Sequence, residues 1–304
     1  RRTELTTIDG EIDVEDLIQE EDMVVTLTRQ GYVKRTPKSI YRAQNRGGRG
    51  VTGMTTKEED FAVQMRVVST HDEIMFFTNM GRVYMLKCYQ IPEAGRTARG
   101  TAIINLIQIA SDEKVTCMVP VPGATGEHNL VMATRDGVIK KTPMSEFDNI
   151  RKGGLIAINL REGDELVNVR RVKEGEKVIL VSTDGKAIMF PEGDVRPMGR
   201  DTSGVRGITL KDGAKMLGME ITNGNGDLFV ITEKGYGKRT PVSEYPEHKR
   251  GGQGVYTITM TEKKGNLTAC RIVGPQHELM IMSNEGVMIR VKVKDISCLG
   301  RSTQ

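Results

Sequence analysis

The sequence predicts an all-β chain folded as a disc of six propeller-like blades, with about four strands in each blade of about 50 residues. Three observations predict it. The 304 residues repeat themselves six times at a period near 50, 34 glycines accompany no tryptophan and only 4% aromatics, and short apolar runs alternate with turn residues throughout. This composition suits many short strands joined by tight turns rather than packed helices. A single domain of this length is ordinary for propellers and can bury a sizeable core.

The repeating unit carries a Thr/Ser-x-x-Gly element: Thr28-Arg-Gln-Gly31, Thr78-Asn-Met-Gly81, Thr134-Arg-Asp-Gly137, Ser182-Thr-Asp-Gly185, Thr232-Glu-Lys-Gly235 and Ser283-Asn-Glu-Gly286. Successive glycines stand 50, 56, 48, 50 and 51 residues apart. An apolar, β-branched run precedes each glycine and another follows, so each marks a hairpin turn that needs a positive φ. Two residues beyond come Val33, Val83, Ile139, Ala187, Gly237 and Met288, mostly small or apolar, which assigns the inward face of the second hairpin strand. Two further apolar stretches, residues 51–54 and 61–68 in the first repeat, bring the unit to about four strands. Six such units are the blades of a propeller-like disc.

The ends break this period. The sixth repeat stops at Gln304, two strands short, while residues 1–22 hold a strand-like run at 3–8 and an acidic run from Asp13. The sequence therefore divides into an acidic leader, 1–22, and a six-bladed body, 23–304, with the leader expected to complete or abut the last blade. A short helix over 13–20 is the alternative local reading. The leader carries nine acids against Arg1 and Arg2, a net of −7, so the rest of a chain whose total is +4 carries +11. A basic body points to a polyanionic partner, with a solvated charged surface as the plain alternative. The leader itself reads as a solvated linker or as an internal mimic of that polyanion.

Other function classes find little support. Cys88, Cys117, Cys270 and Cys298 lie far apart without Cys-x-x-Cys spacing, and the four histidines are equally scattered. Reduced thiols in a cytosolic protein are expected, with neither a zinc site nor a disulfide framework. No signal-peptide succession opens the chain, and the apolar stretch at 103–109 is interrupted by Asn105 and Gln108, so no membrane span is expected. A propeller enzyme needs converging carboxylates or metal ligands, whereas the residues in register here are cations. Gly235-Tyr-Gly-Lys-Arg-Thr has the composition of a phosphate loop without Walker spacing. No catalytic residue, cofactor or metal is expected within this chain, and its tyrosines read as packing residues.

Fifteen residues after each hairpin glycine stands Arg46, Arg96, Lys152, Arg200, Arg250 or Arg301, a basic residue in all six copies. One point per blade maps to one rim or face of a disc. The six cations thus form a curved track suited to a duplex backbone, which carries about one charge per 1.7 Å. The odd repeats add Lys34-Arg35-Thr-Pro, Lys140-Lys141-Thr-Pro and Lys238-Arg239-Thr-Pro, followed by Arg46-Gly-Gly-Arg49-Gly, Arg151-Lys152-Gly-Gly and Lys249-Arg250-Gly-Gly-Gln-Gly. Repeats two and four keep Arg96-Thr-Ala-Arg99-Gly and Arg200-Asp-Thr-Ser-Gly. Paired glycines let a backbone approach a phosphate and offer amide donors, while the flanking cations neutralise it. Blades one, three and five are therefore expected to hold the polyanion hardest; loop shaping alone is the alternative role for the glycines. Arg42 and Arg206 complete the candidate binding set. The lack of an aromatic-interleaved basic strand favours a duplex over a single strand.

Gln44-Asn45-Arg46-Gly47-Gly48-Arg49-Gly50 resembles the box of glutamine, basic residues, paired glycines, a basic residue and glycine in the first blade of DNA gyrase A C-terminal domains, and the six repeats extend the resemblance over the whole chain. Asn45 departs from the usual Arg or Lys, which removes one charge and keeps a donor for phosphate. In the sister topoisomerase IV domains the box is typically degraded, so its near-completeness favours gyrase. The resemblance implies a β-pinwheel that binds, bends and wraps duplex DNA with a fixed hand, needs no cofactor of its own, and supports negative supercoiling. It also implies a parent enzyme whose catalytic tyrosine lies in a breakage-reunion domain upstream of Arg1. That parent would pair with a gyrase B subunit in an A2B2 holoenzyme, use ATP and Mg2+ elsewhere, and act at the nucleoid in the bacterial cytoplasm. A topoisomerase IV domain, or a propeller scaffold for acidic proteins, are the alternatives; the Trp-Asp and Gly-His signatures of such scaffolds are absent. Bending ~40 bp through ~180° costs about 10 kcal/mol. Six stations of one to three cations supply roughly 10 phosphate neutralisations, which implies a steep dependence on salt.

Overall fold

The computed structural model describes residues 14–41, 51–52, 62–121, 128–285 and 287–303. The six Thr/Ser-x-x-Gly elements form hairpin turns of one design. In each, the Thr or Ser hydroxyl accepts the amide hydrogen of the residue four positions on: Tyr32 N to Thr28 Oγ1 at 3.1 Å, Arg82 to Thr78 at 3.3 Å, Val138 to Thr134 at 3.1 Å, and Lys186 to Ser182, Tyr236 to Thr232 and Val287 to Ser283 at 3.2 Å. Gly31, Gly81, Gly137, Gly185 and Gly235 take φ between +78° and +89°, the left-handed region that a side chain disfavours. Gly286 lies outside the described residues.

Each of the first four hairpins gains a long strand from its own repeat on one side and a two-residue strand from the next repeat on the other. The first sheet runs Ala62–Ser69, Asp22–Thr28, Tyr32–Pro37, Thr101–Ala102; the second, Val115–Val121, Glu73–Thr78, Arg82–Lys87, Leu155–Ile156. The third runs Leu166–Val172, Asn129–Thr134, Val138–Pro143, Val205–Arg206; the fourth, Met216–Thr222, Lys177–Ser182, Lys186–Pro191, Val255–Tyr256. Among the described residues the fifth sheet has three strands, Leu267–Val273, Asp227–Thr232 and Gly237–Pro241, as has the sixth, Glu278–Met282, Val287–Lys292 and Val51–Thr52. The all-β, propeller-like architecture is the one the repeats predict. Repeat and blade are nevertheless offset, because the short strand of each four-stranded sheet comes from the following repeat.

The sixth sheet takes Val51–Thr52 from the first repeat, joining the two ends of the body. The described part of the leader lies on the link between the first two blades. Thr70 Oγ1 donates to Gln19 O at 2.8 Å, His71 Nε2 meets Ile18 O at 2.7 Å, and Lys87 pairs with Glu15 at 2.8 Å. Its helical content is one 3-10 turn, Val14–Leu17. Residues 1–13, with the strand-like run at 3–8, lie outside the described residues.

The cores sit between blades. Val25, Leu27 and Val33 of the first hairpin pack with Ile74, Phe76 and Met118 of the second blade. Val33, Val83, Ile139 and Ala187 are buried, as their place after the hairpin glycine predicts. Gly237 breaks the rule and is exposed; the Phe229 ring lies 3.2 Å from where its Cβ would stand and occupies the missing volume.

The long strands of successive blades pack on one another at the centre. Polar ties join them there: Gln64 Nε2 donates to Met118 O at 3.0 Å, Asn168 Nδ2 to Met219 O at 3.2 Å, and Arg170 pairs with Glu220 at 3.2 Å. The second hairpin strands and the short strands are thereby left at the perimeter. The cysteines are free thiols, and burial pushes Cys88 and Cys117 up to about 11, which makes them poor nucleophiles. No helix among the described residues is long and apolar enough to cross a membrane.

Candidate nucleic-acid interface

The perimeter loops follow from the strand exchange. After each second hairpin strand comes a short 3-10 turn, such as Glu192–Asp194 or Val242–Glu244, and in repeats two to five a loop then crosses to the preceding blade and delivers its short strand. The crossing is close. A methyl group on Gly204 would stand 2.5 Å from the Ile139 carbonyl oxygen, and one on Gly254 2.4 Å from that of Ala187; both residues have positive φ. These two single glycines serve loop-to-blade packing. Gly153, by contrast, faces open space.

The basic column lies on these loops and shows a recurrent bond. Arg200 Nη1 donates to Ile156 O at 3.0 Å, Arg250 Nη1 to Arg206 O at 3.0 Å, and Arg301 Nη1 to Tyr256 O at 3.1 Å. In each case the acceptor ends the short strand of the preceding repeat. Arg250 and Arg301 also reach back through Nε to Asp194 O at 3.1 Å and Glu244 O at 2.9 Å. The column arginines thus bridge successive loops around the perimeter. Their acceptors are neutral carbonyls, so the positive charge is kept. Glu146 stands 3.9 Å from Arg200, a loose pair between partly exposed groups. Arg96 and Arg99 are half-buried, the latter 5.3 Å from the Tyr32 ring centroid, while Arg151, Lys152, Arg206 and Lys249 are exposed. Arg42 and the box from Gln44 through Asn45, Arg46, Gly47, Gly48 and Arg49 to Gly50 lie outside the described residues. The strand that follows the box, Val51–Thr52, joins the sixth blade as the other loops join theirs.

The Lys-Arg pairs are not part of the exposed surface, and here the structure corrects the sequence reading. Lys34, Lys140, Lys141 and Lys238 are buried. Lys34 Nζ donates to the carbonyls of Gly95, Arg96 and Ala98 at 3.0, 2.7 and 3.0 Å; Lys140 Nζ to those of Ala157 and Arg200, both at 2.6 Å; Lys238 Nζ to those of Gly300, Arg301 and Thr303 at 2.8, 3.0 and 2.7 Å. The next residue staples the following repeat's 3-10 turn. Arg35 Nε donates to Ile91 O at 2.6 Å and Arg239 Nε to Ile296 O at 3.0 Å, while Lys141 pairs with Glu192. Arg239 is further tied to Asp227 at 2.6 Å. A strand position inside a blade junction offers no path to a phosphate. Desolvation draws Lys34, Lys140 and Lys238 each down to about 8.

Two loop types therefore alternate. The loops of repeats two, four and six rest on buried lysines. Those of repeats three and five rest on Tyr84 and Ile188: a methyl on Gly154 would meet the Tyr84 ring at 2.8 Å, and one on Gly252 would lie 3.5 Å from Ile188. Arg82 adds a bond from Nη2 to Gly153 O at 2.6 Å. Sequence reasoning missed both the lysine caps and the hairpin hydroxyls. The signal for the caps was the alternation of Lys34, Tyr84, Lys140, Ile188, Lys238 and Ile289 three residues after each hairpin glycine.

Comparison with known proteins gives concordant results. A family model described as DNA gyrase C-terminal domain, beta-propeller, matches residues 22–69, 72–122, 128–173, 176–223, 226–273 and 277–304. The chain is 46% identical over 308 residues to the DNA gyrase A protein of Staphylococcus aureus, covering 100% of this chain and 35% of that protein. It spans about a third of the length of the curated relatives it matches. A solved gyrase A C-terminal domain is similar with a TM-score of 0.83 and 29% identity over 93% of each chain. The C-terminal domain of a DNA topoisomerase IV is similar with a TM-score of 0.71 and 25% identity, covering 94% of this chain and 88% of that one.

Proposed function

The chain belongs to the family of DNA gyrase C-terminal domains, and from that premise we propose that its perimeter binds duplex DNA without regard to sequence, bends it, and wraps it with a fixed hand. One observation carries the reading: the guanidiniums of Arg200, Arg250 and Arg301 recur once per blade on the same carbonyl position, with their charge intact. Exposed Arg151, Lys152, Arg206 and Lys249 thicken the same track. Phosphate contacts of this kind position a duplex and carry no sequence information. The box at residues 44–50, with Arg42, is the proposed element that turns bending into handed wrapping, and its near-completeness favours a gyrase over a topoisomerase IV origin.

The wider reading concerns the parent protein. Its negative supercoiling would depend on this domain presenting a wrapped segment to a breakage-reunion domain of the same polypeptide, where the catalytic tyrosine lies. A gyrase B partner in an A2B2 assembly would supply ATP chemistry, with Mg2+ bound outside this chain, in the bacterial cytoplasm at the nucleoid. The domain itself catalyses nothing.

The salt dependence of binding to a ~40 bp duplex tests the DNA reading. Roughly 10 neutralised phosphates predict that log K falls against log salt with a slope of about −9. Equal affinity for unrelated sequences is expected. A slope shallower than about −3, or a marked sequence preference, contradicts the proposal.

A further inference from the structure

We propose that Lys34, Lys140 and Lys238 are positioning residues for DNA, buried ammonium groups that hold the loops of repeats two, four and six in the shape that presents Arg96, Arg200 and Arg301. This rests on the reading of the perimeter as a DNA surface and deepens it. In all three junctions the lysine nitrogen takes the backbone carbonyl of the column arginine itself, at 2.7 Å for Arg96, 2.6 Å for Arg200 and 3.0 Å for Arg301. The remaining bonds go to carbonyls on either side or, for Lys140, to Ala157 of its own repeat. Other bonds tie the flanks of these loops, Ala94 N to Arg35 O, Met198 N to Lys141 O, Leu299 N to Arg239 O and Asn159 N to Thr202 O among them, while the backbone carbonyl of the column arginine is held by the lysine. Each loop is thus an arch tied at its flanks and pinned from beneath, at the column arginine, by one cation. The apolar Ile188 in the equivalent place offers no such donor, and the loop above it is built on glycines instead.

The charge state of the pin is open to titration. Lys140 faces Asp201, Glu146 and Arg200, Lys238 faces Lys264 and Glu244, and burial is the cause for Lys34; each titrates near 8. Deprotonation leaves two hydrogens and removes the charge that strengthens each bond to a carbonyl. The sign for the whole fold is the opposite. These groups titrate lower in the folded chain than in the unfolded one, so between pH 8 and the ordinary lysine range the unfolded chain binds more protons, and their contribution to stability rises with pH. Bending and global stability therefore respond to pH in opposite directions if the lysines position loops.

The experiment is end-to-end fluorescence transfer across a ~40 bp duplex bound to the 304-residue chain, from pH 7 to 9.5 at constant ionic strength, alongside thermal unfolding. The expected result is a fall of about tenfold in bending affinity with a midpoint near pH 8 and no matching drop in the unfolding midpoint attributable to these groups. The Lys34→Met, Lys140→Met, Lys238→Met triple variant should sit at the high-pH level throughout. A flat profile in the parent chain, or a triple variant that bends DNA as the parent does, overturns the proposal. Should the triple variant not fold, the titration of the unmodified chain and of Lys238→Met alone decides. Failure of the parent to bind DNA at pH 7 would instead sink the DNA reading itself.

Discussion

Arg200, Arg250 and Arg301 are half-exposed groups whose hydrogen bonds consume geometry without consuming charge. An Arg-to-carboxylate pair in the same place would orient the side chain equally well and cancel the field that attracts a phosphate. Replacing Arg250 by Gln should therefore lower duplex affinity about fivefold near 100 mM salt and make the salt slope shallower by about 0.9, one phosphate contact. Titration of the variant at several salt concentrations checks this; an unchanged slope would place Arg250 off the DNA path. The column was legible in the sequence because six cations fell at one spacing. The burial of Lys34, Lys140 and Lys238 was not. A Lys-Arg pair on a strand reads as solvated charge, and only the arrival of another repeat's carbonyls over the ammonium makes the interior acceptable to it.

At the scale of the element, the Thr/Ser-x-x-Gly hairpin combines two devices: a glycine in the left-handed region and a hydroxyl that accepts the next strand's first amide. Thr134 is buried and its Oγ1 takes the Val138 amide at 3.1 Å. Thr134→Val preserves shape and leaves that amide unsatisfied, so the variant should lose about 1 to 2 kcal/mol in urea unfolding. A loss below about 0.3 kcal/mol would mean that water or a backbone shift replaces the bond. The glycine spacing disclosed the hairpins and the long strands in the sequence. The strand exchange stayed hidden because pairs such as Leu155–Ile156 or Val205–Arg206 are too short to carry a period of two. For the same reason the strand completing the sixth sheet, Val51–Thr52, gave no sign of its destination.

At the scale of the molecule, the offset between repeat and blade lays successive loops side by side along the perimeter of the described blades. The loops of repeats four, five and six are each bridged by an arginine to the short strand of the repeat before. Under the proposed reading, a polyanion following that perimeter would meet Arg96, Lys152, Arg200, Arg250 and Arg301 in turn, as the elastic cost of bending a duplex requires. The acidic leader lies apart from this track where it is described, on the link between the first two blades. The central claim is that this perimeter wraps DNA with a hand, and that the box at residues 44–50 supplies the handedness. The direct measurement is the linking number of a nicked circle sealed by ligase in the presence of the 304-residue chain, compared with a variant carrying alanine at residues 44–50. The account predicts a shift of consistent sign with the intact chain, and a variant that binds the circle without shifting it. Binding by the intact chain with no shift in linking number would contradict it.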